Sequence, residues 1–269
     1  DKERVQNPYE DNDLEFGPIG YMVEDRILKR TLLQKVLHNN RITKVFGSRI
    51  INHVVNVNCV EAHLENGLVI SGKLLIGADG RKSAVGERSR IKRNVFDYCQ
   101  TSIVCAVSHE RHHSGEAHQF FMPSGPLAIL PLQNNISSIV WTEKNQKADY
   151  LRYQAEADFL KELKLRFGSF RGEISLESKP YFFPLSLSIS TSLISERIAL
   201  VGDAAHSVHP IAGQGLNLGM RDVASLAEIV ILARRRGEDY GKKYALERYS
   251  AWREFDRTTL YSFTHIVNK

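Results

Sequence analysis

The run Arg197-Ile-Ala-Leu-Val-Gly-Asp-Ala-Ala-His-Ser-Val-His-Pro-Ile-Ala-Gly-Gln-Gly-Leu-Asn-Leu-Gly-Met-Arg-Asp222 passes from strand to polar loop to glycine turn to helix. Ile198 to Val201 is a short apolar stretch suited to a buried strand. Gly202 and Asp203 end it and place a carboxylate at its C-terminal edge, where open α/β sheets bind their ligands. Pro210 stiffens the loop that follows, and Gly213 and Gly215 lack the Cβ atoms that would hold a flat ring system away from the backbone. A helix starting near Leu216 then aims its free N–H groups and the positive end of its dipole at the same place. The stretch predicts a cradle for a flat, electron-rich ligand.

A second segment, Leu75-Ile-Gly-Ala-Asp-Gly-Arg-Lys-Ser83, sets the context. With both segments in this order, the chain resembles the flavoprotein aromatic hydroxylases built on the para-hydroxybenzoate hydroxylase fold. Their second flavin motif runs Gly-Asp-Ala-Ala-His, then a Pro, then Gly-x-Gly-Leu-Asn, and their Asp-Gly motif touches the flavin and nicotinamide sides of the site. Gly20-Tyr-Met-Val-Glu-Asp-Arg-Ile-Leu28, Phe121-Met-Pro-Ser-Gly-Pro-Leu-Ala-Ile-Leu-Pro131 and the unbroken helix after Asn217 are most similar to the ubiquinone-biosynthesis hydroxylases, particularly the octaprenyl-methoxyphenol type. The resemblance implies an FAD-dependent monooxygenase that uses NAD(P)H and O₂ to hydroxylate a prenylated phenol. It implies a cytoplasmic location, with peripheral attachment to the inner membrane or to other ubiquinone-biosynthesis proteins as an option. Two alternatives stay open: a cofactor-free fragment or scaffold subunit of the same fold, and another flavin-dependent oxidoreductase of the superfamily. A flavin halogenase is disfavoured, because its Trp-x-Trp motif has no counterpart when the only tryptophans are Trp141 and Trp252.

Proteins of this kind open with a strand, a Gly-x-Gly-x-x-Gly turn and a helix, a unit of roughly 30 residues or more. Asp1 to Phe16 is charged and Asn-rich and does not match it. The chain therefore reads as an internal fragment, expected to hold FAD poorly by itself. The fold class is α/β with α+β character: an incomplete FAD-binding Rossmann-like domain with an inserted antiparallel β-sheet substrate domain. Residues 1–95 and 191–269 are expected to form the FAD-binding domain and residues 96–190 the substrate sheet.

The resemblance also implies roles for single residues. Asp203 would accept a hydrogen bond from a ribityl hydroxyl, against the bland alternative of a capping Asp. Gly202, Gly213 and Gly215 would shape the cradle, and Leu216 and Asn217 would act through backbone N–H groups. Pro210 and Gln214 would lie beside the reactive edge of the ring, against simple turn geometry. Arg26 would reach the flavin's phosphate or ribityl region with its planar fork, against a solvated pair with Glu24 or Asp25. Asp79 and Gly80 would sit near both cofactors. One departure is visible: the family usually has an Arg three residues after the motif's Ser, but Ser83 is followed by Ala84, Val85 and Gly86, with Arg88 two further on. The basic run Arg81, Lys82, Arg88, Arg90, Lys92 and Arg93 is read as solvated surface. No side chain stands out as a general base, so no catalytic residue is assigned.

Composition sets the bounds. With 269 residues, 42% hydrophobic and 25% charged, the chain belongs to the ordinary globular class. A net charge of +5 favours acidic partners or an anionic membrane surface without pointing to nucleic acid. Cys59, Cys99 and Cys105 are odd in number and lack C-x-x-C spacing, which predicts neither a disulfide framework nor a zinc site. His109, His112, His113 and His118 fall in a polar loop without recognised ligand spacing, so no metal is expected, and His206 and His209 are read as shaping the flavin loop. No apolar run approaches the about 18 residues that a membrane span needs.

Along the chain, Asp25 to Leu37 carries Leu28, Leu32 and Val36 at helical spacing, predicting a helix with one buried face. Runs from Ile50 to Ile76, broken by Asn66-Gly67, predict an antiparallel meander feeding the Asp-Gly strand. From Thr101 to Trp141, successive strands without helices predict an antiparallel sheet. Within it Phe120, Phe121, Leu127 and Ile129, framed by Pro126 and Pro131, are the candidates for an apolar substrate wall. Strand alternation assigns at least one of each neighbouring pair to the sheet core instead. Tyr150 to Phe167 predicts an amphipathic helix, and Gln214 to Arg236 and Tyr240 to Phe263 predict two long helices hinged at Gly237 and Gly241.

Overall fold

The structure, a computed structural model, describes residues 20–208, 213 and 215–267. Two compact units divide the chain, each made of two stretches: residues up to Lys44 with Cys99–Leu185, and Val45–Tyr98 with the chain from Ser186 onward. Two strands, β5 (Arg93–His109) and β10 (Tyr181–Ser190), carry the chain from one unit to the other. Helix and strand are mixed, as the α/β class requires.

In the first unit, β5 pairs antiparallel with β8 (Ile136–Lys144), β8 with β7 (Gly125–Pro131), and β7 with β6 (His118–Met122). A short strand, β9 (Ile174–Leu176), pairs with the end of β5. The residues of β8 alternate in and out, so Ile139 and Trp141 enter the core with Ile103, Cys105 and Val107 of β5. Helices α3 (Asn145–Arg152) and α4 (Glu156–Phe167) close that core with Ala148, Leu151, Phe159, Leu163 and Phe167. The single helix predicted over Tyr150–Phe167 is thus two. Leu151 of α3 and Phe159 of α4 enter the same core from either side of the break.

Helix α1 (Asp25–Leu37) forms with the predicted bounds but buries no residue. Leu28 and Val36 on its expected inner face are only half-buried, and Leu32 is exposed, so the periodicity found the helix and not a packed partner.

In the second unit, β1 (Ile50–Val55), β2 (Val60–Leu64) and β3 (Val69–Gly72) form the predicted meander, with Val60, Ala62 and Leu64 facing inward. Strand β12 (Ile198–Leu200) is buried throughout, pairs antiparallel with β11 (Ile194–Ser195) and parallel with β4 (Leu75–Gly77). Helices α5 (Gly215–Arg235) and α6 (Lys243–Val267) cover it through Leu226, Ile229, Leu246 and Tyr249. The Tyr249 hydroxyl donates to the Leu200 carbonyl at 2.8 Å, which satisfies a phenol buried in an apolar core.

Candidate flavin site

Parallel pairing decides where the two motifs meet. Ile198, Ala199 and Leu200 stand opposite Leu75, Ile76 and Gly77, and the Val201 N–H donates to the Gly77 carbonyl at 3.0 Å. Because the two strands point the same way, the loops that leave them emerge at one edge. Asp79-Gly80 follows β4 there and Gly202-Asp203 follows β12. A crevice at the carboxyl ends of adjacent parallel strands is where such sheets take ligands. Gly77 permits the close pairing, since a Cβ there would come within 2.6 Å of Leu200.

Each loop is shaped for backbone approach. Gly80 and Gly202 have φ of +81° and +59°, a region that favours glycine, and Gly213 has +59°. Among the described residues, a Cβ built on any of the three would meet nothing within 4 Å, which leaves room for a ligand's approach. Gly202-Asp203-Ala204 form a single 3-10 turn. The first turn of α5 stands against it, and a Cβ on Gly219 would lie 3.2 Å from the Gly202 Cα.

The side chains divide between structure and availability. Asp79 Oδ2 accepts the Val85 N–H at 3.0 Å, and Ser83 Oγ accepts Gly86 N–H at 3.0 Å, so the two together cap helix α2 (Ala84–Arg88). Asp203 is exposed, and among the described residues no hydrogen bond or ion pair engages its carboxylate. Its backbone is held instead. Arg93 donates to the Asp203 carbonyl at 3.0 Å, to the Ala204 carbonyl at 2.6 Å and to Ser188 Oγ at 2.9 Å. Burial lowers the Arg93 pKa, against the pull of the Asp203 and Asp79 carboxylates. An unspent carboxylate beside open glycine turns fits a ligand rich in hydroxyl groups, as the sugar-alcohol chain of a flavin is.

Below the turn lies a buried polar group. Asp222, on the inner face of α5 with Leu218, Ser225, Leu226 and Ile229, is fully buried. Its Oδ2 accepts the Gly202 N–H at 2.9 Å, and its Oδ1 accepts Arg253 Nε at 2.8 Å. His206 Nε2 stands 3.2 Å from Oδ2 but off the line of a hydrogen bond. Burial pushes the Asp222 carboxyl up, and His206, Arg253 and the Gly202 N–H outweigh it, leaving the group below its ordinary range.

The structure therefore gathers Asp79, Gly80, Gly202, Asp203, Gly213, Gly215, Leu216 and Asn217 within one unit. Pro210 and Gln214 lie outside the described residues. Arg26 lies in the other unit, exposed, with its Nε 2.6 Å from Glu24. The four wall candidates are not brought to one surface. Leu127 and Ile129 are 0% and 2% exposed in the closed core of the first unit, and Phe120 packs against that core. Phe121, 68% exposed, stands on the opposite face because successive strand residues alternate.

The histidines between 109 and 118 are engaged by their own loop and by the neighbouring chain. His109 engages the Arg111 carbonyl and Ser137 Oγ, His113 engages the Leu132 carbonyl, and His112 accepts the Ser114 N–H. Among the described residues no group of three or more His, Cys, Asp or Glu could hold a metal ion, and no helix is long and apolar enough to cross a membrane. Arg93 and Asp222 are the residues that sequence reasoning missed. Arg93 was hidden in a basic run. Asp222 carried a legible signal, an acid at the spacing of the buried face of α5, which calls for a buried partner.

Residues 32–258 match the FAD binding domain family. The chain is 40% identical over 248 residues to ubiquinone hydroxylase UbiL of Rhodospirillum rubrum, covering 92% of this chain and 58% of that protein. It is 35% identical over 251 residues to the 3-demethoxyubiquinol 3-hydroxylase of Escherichia coli, covering 93% and 64%. The chain thus spans about three fifths of the length of these curated relatives. A solved structure of PqsL, a probable FAD-dependent monooxygenase from Pseudomonas aeruginosa, superposes with a TM-score of 0.76 at 22% identity, covering 90% of this chain and 68% of that one. At that identity the likeness is one of fold.

Proposed function

The chain belongs to the FAD binding domain family, and from that premise we propose that it is part of an FAD-dependent, NAD(P)H-using monooxygenase that hydroxylates a prenylated phenol in ubiquinone biosynthesis. The observation that carries this reading is the parallel pairing of β4 with β12, with the Asp203 carboxylate unspent where the two loops emerge. The names of the two curated relatives supply the substrate class.

In this reading Asp203 accepts a hydrogen bond from a ribityl hydroxyl, and Gly80, Gly202 and Gly213 keep side chains out of the way. The free N–H groups at Gly215, Leu216 and Asn217 begin α5 and stabilise the electron-rich edge of the ring system. Pro210 and Gln214 are assigned to its reactive edge by their place in the motif. When bound, FAD supplies the transfer of electrons from NAD(P)H to O₂ and the delivery of oxygen to the phenol. The protein's share is to hold the ring, orient the phenol and keep water out. The antiparallel strands of residues 96–190 are assigned to the phenol, and the two flanking stretches, 1–95 and 191–269, to the flavin. Arg26 receives no role, since Glu24 already occupies its guanidinium. The net charge of +5 suits peripheral attachment to an anionic membrane surface, where a prenylated substrate resides.

Titrating FAD into the chain and into Asp203→Ala, with binding read by fluorescence quenching, tests the assignment. A hydrogen bond to a charged group is worth about 1.5–3 kcal/mol, so affinity is expected to fall about 10- to 100-fold. The unfolding midpoint of the flavin-free chain is expected to stay put, because only a ligand contact is removed. Undiminished FAD affinity in Asp203→Ala refutes the role of Asp203, and a wild-type chain that takes up no FAD favours the cofactor-free scaffold instead.

A further inference from the structure

About two turns of α5 separate Asp222 from Gly215 at its start, yet its carboxylate reaches back to the peptide on which the cradle depends. Oδ2 takes the Gly202 N–H at 2.9 Å. Oδ1 takes Arg253 Nε at 2.8 Å, and Arg253 is itself tied by Nη1 to Asp256 at 2.6 Å and by Nη2 to the Leu218 carbonyl at 3.5 Å. Both partners of this pair are buried, Asp222 at 0% and Arg253 at 2% exposure. The Gly202 N–H is thereby fixed from below by α5 and α6 together, while Arg93 fixes the next two carbonyls, those of Asp203 and Ala204, from the strand side.

This arrangement leaves the 3-10 turn little freedom. Gly202 has the φ of +59° that lets its N–H face the helix, and the Gly219 backbone packs on its Cα. A hydrogen bond from a backbone amide to a buried, ion-paired carboxylate is stronger than one to a neutral acceptor. A peptide unit held so rigidly delivers the following side chain, Asp203, to one position. His206 stands beside the same oxygen, with Nε2 at 3.2 Å, but among the described residues neither of its ring nitrogens makes a hydrogen bond.

We propose that Asp222 is a positioning residue for the cofactor: acting through the Gly202 amide, with Arg253 as its brace, it sets the turn that presents Asp203. The inference rests on the flavin reading for its consequence, but not for the anchoring itself. Glycine-selective ¹⁵N labelling of the full chain lets the Gly202 amide be followed by its proton shift and exchange rate, alongside FAD titration and a melting curve. In Asp222→Asn the Gly202 amide is expected to shift upfield and exchange about 10-fold faster or more. FAD affinity is expected to fall by a similar factor, while the Gly219 amide inside α5 keeps its protection. Equal acceleration at Gly219 would make Asp222 a general stabiliser and overturn the proposal, as would a freed Gly202 amide with undiminished FAD affinity. Should Asp222→Asn fail to fold, Arg253→Lys keeps the charge but loses the forked brace, and a smaller acceleration confined to Gly202 is expected; an unchanged Gly202 rate there overturns the proposal. If the wild-type chain takes up no FAD, the flavin reading fails, whereas the selective release of Gly202 still upholds the anchoring.

Discussion

Replacing Arg197 by methionine removes a guanidinium that is fully buried at the start of β12 and that holds three separate loops. Its Nε and Nη2 donate to the Val57 carbonyl at 3.1 and 2.6 Å, and Nε also to Asn56 at 3.2 Å, beyond β1. Nη1 donates to the Lys73 carbonyl at 2.9 Å, ahead of β4. Nη1 and Nη2 then grip Asp239, between α5 and α6, at 3.2 and 2.5 Å. Methionine fills similar volume without any donor. Breaking a buried pair from one side costs about 3–5 kcal/mol. Asp239 is 29% exposed and regains some water, which points to the lower part of that range. A loss of about 3–4 kcal/mol corresponds to a fall in melting temperature of about 6–16 °C for a domain of this size. Urea titration followed by circular dichroism measures it, and a loss below about 1 kcal/mol would refute the reasoning. The pH dependence gives a second check. The Asp239 carboxyl is held below its ordinary value of 3.8, chiefly by Arg197, against burial. That contribution is present above pH 3.8 and is lost as pH falls through the lowered folded value. The gap between wild type and Arg197→Met is therefore expected to narrow below pH 3.8. Gly241→Ala attacks the same knot by steric means, since its Cβ would overlap the Lys73 carbonyl and come within 2.5 Å of Arg197 Nη1.

Leu127→Ala is expected to cost about 2–5 kcal/mol through the cavity it leaves among Trp141, Ile139 and their neighbours, whereas Phe121→Ala is expected to stay within about 0.5 kcal/mol. Equal costs in urea titrations would mean that the alternation of β6 and β7 has been misassigned. In His118, burial and then Arg171, whose Nη2 stands 3.0 Å from Nε2, lower the pKa against the pull of Glu116. The unfolded chain therefore binds the proton first. Stability from this group is full above its ordinary value of 6.5 and declines as pH falls from there toward the lowered folded value. His118→Gln is expected to flatten that part of the stability–pH curve, leaving the slope due to His109 and His53, which burial also lowers; an unchanged slope would contradict it.

Local pattern was enough to find the strand at Ile198, the helix bounds of Asp25–Leu37 and the hairpin at Asn66-Gly67, because each is decided by residues near in sequence. The glycines of the cradle were legible for the same reason, since a positive φ is a local demand that few other residues meet. Faces were less secure. Period-two alternation says that Phe120 and Phe121 point opposite ways, but only the packing of α3 and α4 on the sheet shows which one faces the core. Leu28, Leu32 and Val36 mark a stripe on α1, and a stripe cannot say whether anything covers it.

What the amino-acid sequence by itself determined was the chemistry on offer: two short strands, each followed by a glycine and an aspartate, and a helix that starts near Leu216. Tertiary structure alone decided that the strands run parallel and adjacent, so that two loops more than a hundred residues apart share one edge. It also decided that Asp79 caps α2, that the Asp203 carboxylate is exposed and unpaired among the described residues, and that Asp222, Arg253 and Arg93 hold the turn between them. The physical reason is one of range. Backbone dihedral preferences and hydrophobic periodicity act over a few residues, whereas the cost of burying a charge depends on partners that the fold alone brings within hydrogen-bond distance.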